Sequence, residues 1–128
     1  MPTAGGIWRA LERGAQLGCE IVQVFVKNNM RWQGKPFSPA DLARFMTART
    51  VHPIGSVFGH TGYLINLAAP PSPNRDRSIE SLIQEIQLAT DLGLPFLVMH
   101  PGSHLGQGEA AGLQQVTAGL DEVFRALS

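Results

Sequence analysis

The sequence predicts an α/β fold built on a parallel sheet, and three observations carry that expectation. Two runs, Ile21–Val26 and Phe96–Met99, are β-branched, aromatic or otherwise apolar, as strands are. The stretches between and around them carry apolar residues at three- and four-residue steps, the period of a helix. The alternation repeats in units of roughly 35–45 residues, for which right-handed parallel crossovers are the rule.

Each element has its own local reason. Ile7, Leu11, Ala15 and Leu17 set one apolar helical face after the flexible Gly5-Gly6, and Gly18 is a stop. Ile21–Val26 is the first strand. Ser38-Pro39 followed by Asp41 opens a second helix with a capping hydroxyl, a proline at the first helical position and an acid in the first turn. Leu42, Phe45 and Met46 are expected to form its inner stripe. Ile54–Phe58 is a weaker strand, interrupted by glycine. Ala69–Pro73 is rich in proline and reads as a loop. Ile79, Leu82, Ile83, Ile86, Ala89 and Leu92 make the clearest helical stripe, closed by Gly93-Leu94-Pro95. Phe96–Met99 is the third strand. The last helix runs from about Glu109 to Leu127, with Leu113, Val116, Leu120, Val123 and Phe124 inward. Near-continuous apolarity in the strands predicts a sheet covered on both faces.

A doubly wound sheet and part of a β/α barrel both satisfy this order. A full barrel takes about 250 residues, so 128 residues hold around half of one, as a single domain over 1–128. Apolar residues make up 44% and charged residues 16%, enough for a core and too little charge for disorder. Ten basic residues balance ten acidic ones, so no global basic field advertises a polyanionic partner. The balance is uneven along the chain. Residues 1–60 carry seven basic and three acidic side chains, net +4, and residues 61–128 carry three and seven, net −4. The single cysteine, Cys19, excludes a disulfide framework and fits a reducing cytoplasm. Neither a secretory leader nor a membrane span is expected, which makes the chain a soluble cytoplasmic one.

The chemistry gathers after the strands, where parallel β/α folds build their sites. His60 and His100 stand 40 residues apart, each following an expected strand, and imidazoles delivered to one rim suit zinc. His104 follows His100 by four, but Pro101-Gly102 makes that segment a turn, so His104 is expected to be a loop histidine beside the ligands. His52, ahead of a strand, reads as structural. The segment Lys27–Lys35 mixes basic, amide and aromatic side chains and suits either phosphate and base contacts or a solvated loop anchored by Trp32. The apolar cluster Tyr63–Leu67 either packs down or inserts into a ligand, as wedge residues do.

Three segments resemble the endonuclease IV family of zinc-dependent apurinic/apyrimidinic endonucleases. They are HTGYLINL (His60–Leu67), FLVMHPGSHL (Phe96–Leu105) and FVKNNMRW (Phe25–Trp32) followed by Gly34-Lys35-Pro36. The likeness spans essentially the whole chain and corresponds to the amino-terminal portion of that family. It implies a partial TIM (β/α) barrel, about half, lacking the first strand and the later βα units. It further implies an enzyme that cuts double-stranded DNA on the 5′ side of abasic sites in base excision repair, with three zinc ions. On this resemblance His60 and His100 are metal ligands of one zinc, and Tyr63 and Leu64 enter the minor groove beside the abasic nucleotide. Met30 falls where many members wedge an arginine into the base stack, with Arg31 next to it.

The resemblance also marks what these residues omit. The family's opening Gly-x-His strand has no counterpart before Ala4-Gly5-Gly6, and its bridging glutamate and later ligands lie beyond Ser128. At most part of one zinc site is therefore expected here, and the chain alone is expected to be inactive. Two readings of other classes stand beside it: a metal-dependent sugar isomerase or epimerase barrel, and a non-catalytic half-barrel. Half a barrel leaves two strand edges unpaired, which predicts self-association.

Overall fold

The computed structural model describes residues 1–128. Seven elements follow in the order α1 (Trp8–Gln16), β1 (Ile21–Phe25), α2 (Pro39–Val51), β2 (Ser56–His60), α3 (Pro73–Asp91), β3 (Leu97–Val98) and α4 (Glu109–Leu127). The strands form one parallel sheet in the order β1-β2-β3. Ile21 lies beside Ser56 and Phe25 beside His60, while Gly59 and His60 meet Leu97 and Val98. The chain divides into two compact units. One comprises Met1–Val26, Lys35–His60 and Gln87–Val98. The other comprises Lys27–Gly34, Thr61–Ile86 and Met99–Ser128.

The first unit holds the sheet. Val22, Val24, Val26 and Val57 enter a core with Ile7, Ala10 and Leu11, with Phe45 and Ala48 of α2, and with Leu88, Ala89 and Leu92. α1 stops before Gly18, whose φ of +73° is the left-handed conformation that closes helices. Leu17, expected on the inner face, lies past that end and is exposed. α2 opens as the sequence predicts. The Ser38 hydroxyl accepts the Asp41 N–H at 3.1 Å, and the Asp41 carboxylate accepts the Ser38 N–H at 3.2 Å. Its inner stripe is Phe45 and Ala48, whereas Met46 turns outward and is 56% exposed.

β2 begins two residues later than expected, because Ser56 is the residue that meets Ile21, and it runs through His60. Ile54 is buried ahead of it. β3 is limited to two residues, since only Gly59 and His60 pair with it. The sheet is covered on one face only. Ile21, at 60% exposure, and Gln23 alternate with buried Val22 and Val24, and Phe58 stacks on Phe96 across the open face at 4.8 Å.

The second unit buries Ile65, Leu67, Ala68, Ala69, Ile79, Leu82 and Val123. α3 starts six residues ahead of Ile79, inside the stretch read as a loop, because Ser72 caps it by accepting the Arg75 N–H at 3.1 Å. α4 presents Gly112, Gly119 and Val123 inward, which sets its backbone close to Ala68 and Leu67. Leu113 and Phe124, expected inside, are exposed. No helix is long and apolar enough to cross a membrane.

Candidate functional site

Three loops, each following a strand, carry the residues singled out by the sequence, and most of them fall within the second unit. The loop after β1 turns tightly at Asn28. Its side-chain oxygen accepts the Met30 N–H at 2.9 Å and its carbonyl accepts the Arg31 N–H at 3.2 Å. That turn presents Met30 and Arg31 to solvent. Lys27 Nζ donates to the Arg31 carbonyl at 2.5 Å and braces the turn from inside. Burial pushes the Lys27 ammonium below the ordinary lysine range, and the negative charge of Glu85 opposes that shift. Gly34 and the Gln84 side chain exchange two hydrogen bonds of 2.8 Å at the far end of the loop, and Trp32 is half-buried.

The loop after β2 divides its apolar residues. Ile65 and Leu67 are buried, Leu64 is half-buried, and Tyr63 is 62% exposed. The Gly62 N–H is shared between both oxygens of Glu85, at 2.9 and 3.2 Å, and the Tyr63 N–H donates to the Asn29 carbonyl at 3.3 Å. The segment therefore neither packs down whole nor projects whole.

The loop after β3 explains the motif HPGSH. Asn66 grips Ser103 twice, accepting its N–H at 2.9 Å and donating to its carbonyl at 3.1 Å. Gly102, between His100 and that grip, has a φ of +102°, and a Cβ there would overlap the Asn66 side-chain oxygen. Only glycine fits both the backbone and the space. His104 Nδ1 accepts the N–H groups of Gly106 and Gly108 at 3.1 and 3.2 Å, so this ring shapes the loop and commits one nitrogen to it. A cleft of about 440 Å³, lined by Tyr63, Asn66, His100, Pro101 and Ser103 among others, brings Tyr63 and His100 together. Met30, Arg31 and Leu64 do not line it.

His60 belongs to the first unit, where it ends β2 nearly buried with its ring edge-to-face against Phe25 at 5.7 Å. His52 closes α2, its N–H donating to the Ala48 carbonyl. No three His, Cys, Asp or Glu side chains gather where one ion could be held. Zinc takes three or four protein ligands, so His60 and His100 suit it as nitrogen donors without completing a site among these residues.

A family model described as a xylose isomerase-like TIM barrel matches residues 11–127. The chain belongs to that family. Its α/β fold, with three parallel strands and four helices, is a partial TIM barrel. It is 41% identical over 121 residues to a probable endonuclease 4 of Citrifermentans bemidjiense, covering 94% of this chain and 43% of that protein. It is 38% identical over 127 residues to a probable endonuclease 4 of Geobacter sulfurreducens, covering 99% of this chain and 43% of the relative. The crystal structure of endonuclease IV from Thermus thermophilus superposes with a TM-score of 0.85 at 27% identity, over 98% of this chain and 45% of that one. The chain thus spans less than half the length of the relatives it matches. In TIM barrels the loops after the strands build the active site, and the three loops described above are of that kind in this barrel chain.

Sequence reasoning passed over Lys27 as a brace, and over Asn66, Gln84 and Glu85. Glu85 and Asn66 each carried a signal. Glu85 interrupts the inner face of α3 between Leu82 and Leu88, and Asn66 interrupts the apolar run Leu64–Leu67. A polar group in such a place is buried with a partner or not at all.

Proposed function

We propose that this chain supplies DNA-engaging loops and two zinc-ligating histidines to a DNA-repair endonuclease. The enzyme would hydrolyse the phosphodiester on the 5′ side of abasic sites. The observation that carries this reading is the cleft that joins Tyr63 and His100, on loops following parallel strands. The endonuclease 4 relatives favour it over a sugar isomerase. His60 and His100 would each give one imidazole nitrogen to zinc, the remaining ligands coming from outside these 128 residues. Zinc, when bound, makes hydroxide available at neutral pH and offsets charge on phosphate. Tyr63 and Leu64 would enter the minor groove at the base-less sugar, which costs least to extrude because it has no pairing partner. Met30 would act as an apolar wedge in the base stack, with Arg31 supplying positive charge against phosphate. His104 would hold the loop beyond His100. We treat residues 1–128 as one partial-barrel domain, because the chain passes between the two units five times. Free Cys19 suits a cytoplasmic protein.

A chimera tests the reading. These residues would replace the matching segment of the Citrifermentans bemidjiense relative. It is expected to nick duplex DNA on the 5′ side of a single abasic site, and a chelator should block it. His60→Ala and His100→Ala should each remove up to one zinc ion of the three and lower incision at least about tenfold. A folded chimera that leaves abasic duplex intact, or histidine variants with unchanged zinc content, would overturn it.

The sheet order leaves β1 and β3 as edges, and unpaired edges recruit further strands. The 128-residue chain is therefore expected to self-associate in sedimentation. A monodisperse monomer with a cooperative melt would contradict this.

A further inference from the structure

We propose that Glu85 is a positioning residue that locks the Met30–Arg31 turn and the Tyr63–Leu64 segment into one arrangement for engaging DNA. The proposal rests on the DNA reading given above.

A carboxylate on a helix that merely packs has no reason to be buried, because taking its charge out of water is costly unless it is paired. Glu85 is 0% exposed. Its two oxygens share the Gly62 N–H, one residue before Tyr63. Lys27 Nζ, which holds the Arg31 carbonyl, stands 3.6 Å from where a Cβ on Gly62 would lie, beside the N–H that Glu85 accepts, and the Glu85 charge acts on it. One carboxylate therefore reaches both segments, through backbone on one side and through a cation on the other. The Tyr63 N–H bond to the Asn29 carbonyl joins the two directly.

The same face of α3 does a matching job about two turns away. Ser78, also buried, accepts the Asn66 N–H at 3.0 Å while donating to the Asn74 carbonyl at 2.9 Å. The backbone on either side of Tyr63 and Leu64, at Gly62 and at Asn66, is thus held by α3 side chains. Irregular backbone needs such partners wherever water is shut out. With its amides satisfied from below, the segment can leave the Tyr63 ring in solvent. Ordering a wedge on binding costs affinity, and the bonds at Glu85 supply that rigidity in advance.

Glu85→Gln weakens both arms at once, since it replaces one of the two oxygens that share the Gly62 N–H with an amide nitrogen and removes the charge that acts on Lys27. Hydrogen–deuterium exchange of the 128-residue chain is the first readout. Exchange in peptides from 27–34 and 61–66 should quicken at least about fivefold, with α3 itself unchanged. Lys27→Met should quicken 27–34 by a similar factor. Unchanged loops, or a uniform rise that includes α3, would overturn the proposal. The second readout is binding of the chimera to duplex carrying a tetrahydrofuran abasic analogue. Glu85→Gln should weaken it about tenfold, the scale of one charge-assisted hydrogen bond, and unchanged affinity would overturn the proposal. If the unsubstituted chimera does not prefer abasic over intact duplex, the DNA reading fails, and the exchange result still decides whether Glu85 holds both segments.

Discussion

Phe45→Ala is expected to lower the stability of the first unit by about 3–5 kcal/mol, the range for emptying a buried aromatic site. Phe45 is 1% exposed and lies in a core with Val22, Val24, Leu11 and Leu88. Interiors are packed at crystal-like density, so the space left by the ring is only partly refilled. The neighbouring residue supplies the control. Met46 is 56% exposed, so Met46→Ala should change stability by no more than about 0.5 kcal/mol. Urea midpoints followed by circular dichroism distinguish the two. A loss below about 1 kcal/mol for Phe45→Ala would mean that α2 presents a different face to the sheet.

Gly102→Ala should cost about 3 kcal/mol, from two additive sources. A side chain at a φ of +102° strains the backbone, and the added carbon would overlap the Asn66 oxygen. Asn66 must then move, releasing both of its bonds to Ser103. Gly106→Ala isolates the first source, since Gly106 has a φ of +89° with nothing within 4 Å of a Cβ. It should cost only the backbone part, about 1–2 kcal/mol. In the chimera, Gly102→Ala should also reduce incision, because His100 stands two residues before the released segment. Equal losses for the two glycine variants would show that the Asn66 grip is not what holds this loop.

Elements with strong local signals were legible from residues alone. The cap at Ser38 and Asp41, the first strand and the stripe from Ile79 to Leu92 each follow from rules that act within one turn or one strand. The start of α3 carried the same signature, Ser72-Pro73, but its surrounding prolines obscured it. Which face turns inward was less legible. Small residues such as Ala48, Gly112 and Gly119 take the inner positions where a helix lies close, while Met46, Leu113 and Phe124 turn out. That choice depends on the partner's shape, which periodicity does not encode. In the candidate site, Tyr63 and His100 were readable because each follows an expected strand. Asn66 and Glu85 were not, since their partners lie 37 and 23 residues away.

The sheet is ordered as the chain is ordered, and this has a consequence for synthesis. β2 and β3 each emerge from the ribosome to find the preceding strand already made, so neither has to be inserted between two others. Its cover arrives more slowly. β1 and β2 can pair once His60 has emerged, but Leu88, Ala89 and Leu92 complete the core beneath them. Leu88 follows His60 by 28 positions, a delay of roughly one to six seconds at ordinary translation rates. During that interval Val22, Val24 and Val57 rest on α1 and α2 alone. The nascent chain is then most open to chaperones, and to capture by another nascent copy.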